Sequence, residues 1–149
     1  MQLDQYELIY AGNNTFEFYS VGPNGVIKKI VKYGVLDFVR KIYNLSFGDW
    51  DEEMKRINDR TVSNNNDREK ILATVAATVL IFFKKNPNAA IIALGSTPAR
   101  NRLYQINIAL FWDDISQLFE VDGYINGKWE SFTKGRNYSG FLVNLRRKN

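Results

Sequence analysis

The stretch AIIALGSTPARNRLYQINIALFWDD, residues 90–114, limits the fold more than any other part of the chain. Ala89 to Leu94 is a short apolar run ended by a turn signal, the pattern of a strand buried on both faces. Gly95, with no Cβ, lets the chain turn sharply. Thr97 followed by Pro98 is a helix start, a hydroxyl N-cap and then a proline where no backbone N–H is needed. A strand, a glycine turn and a helix in that order require a sheet with a helix packed on it.

The helix is expected over 98–114. A step of about 100° per residue puts Leu103, Tyr104, Ile106, Leu110 and Phe111 on one side, with Arg102, Gln105 and Ala109 opposite. Arg100 falls on the apolar side and Arg102 on the solvent side. The first-turn N–H groups, the Ser96 and Thr97 hydroxyls and Arg100 would suit a phosphate or carboxylate. Gly95, Ser96, Thr97, Arg100 and Arg102 are therefore the candidate anion-binding residues. The competing structural explanation is an internal ion pair from Arg100 to Asp49 or Asp51, since an unpaired buried charge is costly.

The N-terminal third reads as an antiparallel meander. Tyr6 to Ala11 and Thr15 to Val21 are strands joined across Gly12-Asn13-Asn14, and Pro23-Asn24-Gly25 is the next turn. Alternation in Val26 to Tyr33 puts Ile27, Lys29, Val31 and Tyr33 on one face, with Val26, Lys28, Ile30 and Lys32 on the other. A fourth strand, Arg40 to Phe47, turns Tyr43, Leu45 and Phe47 inward. Gly48 to Asn66 reads as a polar connection whose carboxylates Asp49, Asp51, Glu52 and Glu53 are solvated more readily than they bind metal. Asn66 with Glu69 has the form of a capping box, opening a core helix over 67–85 that stops at Asn86-Pro87. After the second helix, Leu118 to Ile125 and Lys128 to Phe132 flank Asn126-Gly127, a type I′ hairpin signal. Tyr138 to Leu145 is the last strand, followed by Arg146, Arg147 and Lys148. The expected class is α+β: one domain over 1–149, with a mixed sheet and its helices on one face.

Composition removes whole classes of chemistry. With no cysteine and no histidine, disulfides, a zinc site and a Ser-His-Asp triad are excluded, and no cofactor is expected. The start, MQLDQYELIY, lacks a basic region followed by an apolar stretch, so it does not read as a signal peptide. The longest apolar run, Ile71 to Phe83, is too short to span a bilayer. A cytoplasmic location and no membrane partner are the expectation.

A net charge of +4 and a pI near 9.3 are compatible with nucleic acid or another phosphate-bearing ligand. Lys28, Lys29, Lys32, Arg40 and Lys41 lie among tyrosines and phenylalanines. Single-strand binders use that mixture for backbone attraction and base stacking, and an aromatic core beneath solvated lysines produces it too. Glu120 and Asp122 share a strand face and, with Gly95-Ser96, invite comparison with nucleotidyltransferases that hold magnesium on two carboxylates. The long helix between the two motifs and the Glu at the first acidic position weigh against it.

FEFYSVGPNG (16–25), YNLSFGD (43–49), SNNNDREKILATVA (63–76) and GSTPARNRLY (95–104) resemble an uncharacterised, domain-of-unknown-function family of small proteins from Bacteroidetes-type bacteria. The resemblance covers most of the chain and implies a self-contained bacterial domain with no activity to transfer. The leading functional expectation is a non-enzymatic anion-binding domain with nucleic acid as its partner. The alternatives are a protein-interaction module with a small protein partner, as in a two-component regulatory or defence pair, and a magnesium-dependent phosphate-handling enzyme using Glu120 and Asp122.

Overall fold

The computed structural model describes residues 4–58, 64–95 and 97–147. Nine strands and three helices among them give the expected α+β class with a mixed sheet. The chain divides into two compact units that alternate along the sequence, 1–34 with 46–85 and 35–45 with 86–149.

The first unit is built on β1 (Ile9–Gly12), β2 (Thr15–Gly22), β3 (Gly25–Asp37), the C-terminal half of β4 (Ile42–Asp51), β5 (Arg56–Asn58) and α1 (Arg68–Lys85). Left-handed Gly12, Asn13 and Asn14 close β1 onto β2, and β2 pairs β3 antiparallel from Thr15↔Lys32 to Gly22↔Gly25. The alternation of β2 and β3 sorts the side chains as expected. Phe16, Phe18 and Ser20 are buried on one face, opposite Val31, Lys29 and Ile27 in register. That face carries the core of the unit, in which Phe18 stacks on Phe47 and Tyr33 on Phe82 of α1.

Two threonines are tolerated inside the apolar α1 because both hydroxyls are bonded. Thr74 Oγ1 accepts from the Tyr6 N–H at 2.8 Å and donates to Lys70 O, and Thr78 Oγ1 meets the Tyr33 hydroxyl at 2.7 Å. The helix starts at Arg68, one residue later than expected, so Asp67 takes the cap position and Asn66 is left-handed at φ 59°. The Asp67 carboxylate accepts from the Tyr6 and Ser20 hydroxyls, each at 2.5 Å. Buried Asn65 donates to Ser20 Oγ and Gly25 O and accepts from the Asn24 N–H.

Several strand boundaries differ from the sequence reading: β1 starts at Ile9 and not Tyr6, β3 continues to Asp37, and the last strand starts at Gly140 and not Tyr138. The fourth strand starts at Ile42 and continues to Asp51, past the glycine that was expected to end it. Part of the expected polar connection is then β5, paired antiparallel to β4 through Trp50↔Ile57. Its three residues are too few and too polar to show a period.

In the second unit the N-terminal half of β4 pairs parallel with β6 (Ala90–Ala93), from Ile42↔Ala90 to Leu45↔Ala93. Then come α2 (Pro98–Leu110), α3 (Trp112–Leu118), β7 (Phe119–Ile125), β8 (Lys128–Ser131) and β9 (Gly140–Leu145). β9 lies antiparallel between β6 and β7, so β6 is paired on both edges. The burial expected on both of its faces is complete on one alone: Ile91 and Ala93 are buried, Ala90 and Ile92 are half-buried and Leu94 is exposed. Asn126 and Gly127 are both left-handed, at φ 52° and 77°, and make the expected hairpin turn between β7 and β8. Phe132, Tyr138 and Phe141 pack together, and the Tyr138 ring lies so close over Gly123 that any Cβ there would overlap it.

The helix expected over 98–114 is two helices. Phe111 leaves helical geometry at φ −105°, ψ 22°, and its N–H still bonds Asn107 O. Its carbonyl then accepts from Asp114 and Ile115, so a new helix starts with Asp113 and Asp114 in its first turn, where acidic side chains suit the dipole. Leu110, expected on the covered side, is exposed at this break.

Candidate functional site

The Gly95 corner folds as its sequence predicts. Thr97, at φ −137°, ψ 158°, caps α2 by accepting the Arg100 N–H at 3.2 Å, and Pro98 occupies the first turn. The Gly95 N–H donates to Asn101 Oδ1 at 2.6 Å, and a Cβ on Gly95 would fall 2.5 Å from the Asn101 nitrogen. The glycine is thus required by the close approach of the first turn of α2. Arg100 is buried at 5% exposure, and Arg102 faces solvent. Ser96 lies outside the described residues. Of the carboxylates considered for Arg100, Asp49 is bound by Lys29, and Asp51 Oδ1 accepts the Glu53 and Met54 N–H groups.

A second feature lies in the first unit, on the sheet face away from Phe16 and Phe18. Thr15 and Glu17 of β2, Lys28, Ile30 and Lys32 of β3, Ser46 and Trp50 of β4, and the segment from Lys55 to Ile57 line a groove of 520 Å³. Strand alternation assembles it: positions 15 and 17 face 32 and 30 in register, and Trp50 faces Ile57. Gly48 makes the wall possible, because a Cβ there would sit 2.4 Å from the Asn58 carbonyl oxygen. Any side chain would push β5 away.

Four cations and one carboxylate line this groove. Lys28 Nζ bonds Glu17 at 3.2 Å and stands 5.6 Å from the centre of the Trp50 ring, within cation-π reach. Lys55 bonds Glu52 at 2.6 Å, and the same carboxylate accepts the Trp50 indole N–H at 2.6 Å. The bond from Lys55, then that from Trp50, hold the Glu52 carboxyl below its ordinary pKa. Lys32 and Arg56 have no acidic partner among the described residues. Ile30 and Ile57 make the floor apolar. The groove offers positive charge at its rim and an aromatic ring and aliphatic carbon beneath.

Sequence reasoning had Lys28 and Lys32 on one face and missed Trp50, Lys55 and Arg56. No local signal marks them, since the alternation of Leu45 and Phe47 ends at charged Asp49 with Gly48 buried between, and the pairing of β5 with β4 places Lys55 and Arg56.

The carboxylate pair of β7 has the expected placement. Glu120 and Asp122 share a face, opposite Asn144 and Leu142 of β9. Desolvation, and then the neighbouring Glu120, raise the Asp122 pKa. Glu120 itself lies 4.0 Å from Arg146. No group of three or more acidic residues is placed to hold a metal among the described residues. Nor is any helix among them long and apolar enough to cross a membrane.

Comparison with curated proteins gives no match, and comparison with solved structures gives none. A family model described as a family of unknown function, DUF6934, matches residues 2–146. With nearly its whole length inside that match, the chain belongs to DUF6934, a family of unknown function.

Proposed function

We propose that this chain is a non-enzymatic binding domain whose ligand is a polyanion, nucleic acid, held in the groove between β2, β3, β4 and β5. The observation that carries this reading is the pair Lys32 and Arg56, two cations without acidic partners among the described residues, above an apolar, tryptophan-bearing floor. Cations left unpaired beside a concavity draw phosphate, and every phosphate they neutralise releases counterions. The net charge of +4 acts in the same direction. The Gly95–Arg102 corner enters the proposal as a smaller contact. There Arg102 meets solvent, beside the turn and first helical residues that Gly95, Thr97 and Arg100 belong to. Binding of labelled oligonucleotides at low salt tests this. Lys32→Ala/Arg56→Ala should weaken binding about tenfold or more and Arg102→Ala about twofold to fivefold. Absence of binding by the folded wild type would remove the reading.

A second reading, a protein-interaction module, is favoured by one observation. Phe38 and Val39, in the turn between β3 and β4, are 85% and 88% exposed. Adjacent apolar side chains left in water mark interaction sites. A stoichiometric protein that accompanies the wild type and is lost from Phe38→Ser/Val39→Ser would support it. A clean monomer in both would count against it.

A further inference from the structure

The aromatic residues of the groove bear on which form of nucleic acid it accepts. Trp50 is half-buried, its N–H is occupied by Glu52, and its ring is left as the polar-independent part of the side chain. Tyr19 lies on the same face of β2 as Thr15 and Glu17, directly opposite Lys28, and is 42% exposed. Lys28 is therefore flanked by two rings, one beneath its ammonium group and one across the strand pair. The floor is recessed, for Ile30 lines the groove at only 4% exposure.

A duplex covers both faces of every base with its neighbours and presents only base edges and phosphates. A rigid cylinder of that kind could touch the rim cations and leave Trp50 and Ile30 unused. An unpaired base has a free face to stack on an aromatic ring. Lys28 and Lys32 are four residues apart on β3, about 13 Å at the rise of a strand, a span that phosphates of one strand can meet at both ends.

Resting on the nucleic-acid reading above, we infer that the groove takes single-stranded nucleic acid, with one base stacked on Trp50 and its phosphates held by Lys28, Lys32 and Arg56. A phosphate that draws Lys28 off Glu17 also clears the ammonium group from above the Trp50 ring. Glu17 is then the group that opposes the ligand, and Glu17→Gln tightens binding severalfold.

The test uses a labelled 15-nucleotide oligodeoxythymidylate and a hairpin duplex with the same number of phosphates, at one salt concentration. The full chain is compared with Trp50→Leu and Trp50→Phe, each checked for folding by circular dichroism. The expected result is a single strand bound at least tenfold more tightly than duplex. Trp50→Leu should cost about tenfold for the single strand only, and Trp50→Phe should restore most of that loss. Equal affinity for both probes, unchanged by Trp50→Leu, would overturn the single-strand inference and leave nucleic-acid binding standing. Binding of neither probe by the wild type would overturn both.

Discussion

Lys29 stands where the alternation of β3 puts it, beside Val31 and Tyr33 on the core face, and is 4% exposed. It survives there because Asp49 of β4 meets its ammonium group. An ion pair taken out of water adds little net stability, yet removing one partner strands the other charge. Asp49→Ala should therefore cost about 3–5 kcal/mol in denaturant unfolding, and Lys29→Met/Asp49→Leu should recover most of it. A loss below about 1 kcal/mol for Asp49→Ala would show that the pair is wetter than its burial indicates. Asp122 makes the opposite case. Its pKa is raised, so the folded state holds the proton more tightly than the unfolded state. Stability is lost as pH rises from the ordinary aspartate range through the raised value. Asp122→Asn should then melt higher than wild type at pH 7, with the gap closing as pH falls below that range. A gap that persists in acid would refute the linkage. A magnesium-induced rise in melting temperature, present in wild type and absent in Asp122→Asn, would instead favour the phosphate-handling alternative.

At the scale of elements, the sequence was legible wherever a local signal decides the backbone. Asn126-Gly127 demanded left-handed residues and has them, Thr97-Pro98 demanded a helix start and has one, and the faces of β3 follow from its alternation. What escaped was set by contacts distant in sequence. Gly48 reads as a strand terminator on propensity, but it is where β5 crosses close over β4. Phe111 reads as helix interior by periodicity, and the helix-start character of Trp112-Asp113-Asp114 prevails there. The candidate site was half visible for the same reason, its lysines on a periodic strand and its tryptophan beyond the glycine. Gly48→Val follows from this geometry. With a Cβ 2.4 Å from a backbone oxygen, β5 must move, costing about 1–3 kcal/mol and abolishing groove binding. Normal stability together with normal binding would show that β5 is not the wall of the site.

At the scale of the whole chain, neither unit is a continuous piece of sequence, and β3 and β4 each contribute residues to both. Neither can be excised without cutting the other, so variants belong in the full chain. The charge of the molecule is modest, and +4 spread over 149 residues gives weak attraction for any polyanion. In the proposed reading, site-specific binding comes from where the cations converge without acidic partners among the described residues. The salt dependence of oligodeoxythymidylate binding, compared between wild type and Lys32→Ala/Arg56→Ala, measures this directly. For single strands the log–log slope is about −0.7 per phosphate neutralised, so loss of two contacts should make the line shallower by about 1.4. Parallel lines with unchanged affinity would contradict the groove as the binding site.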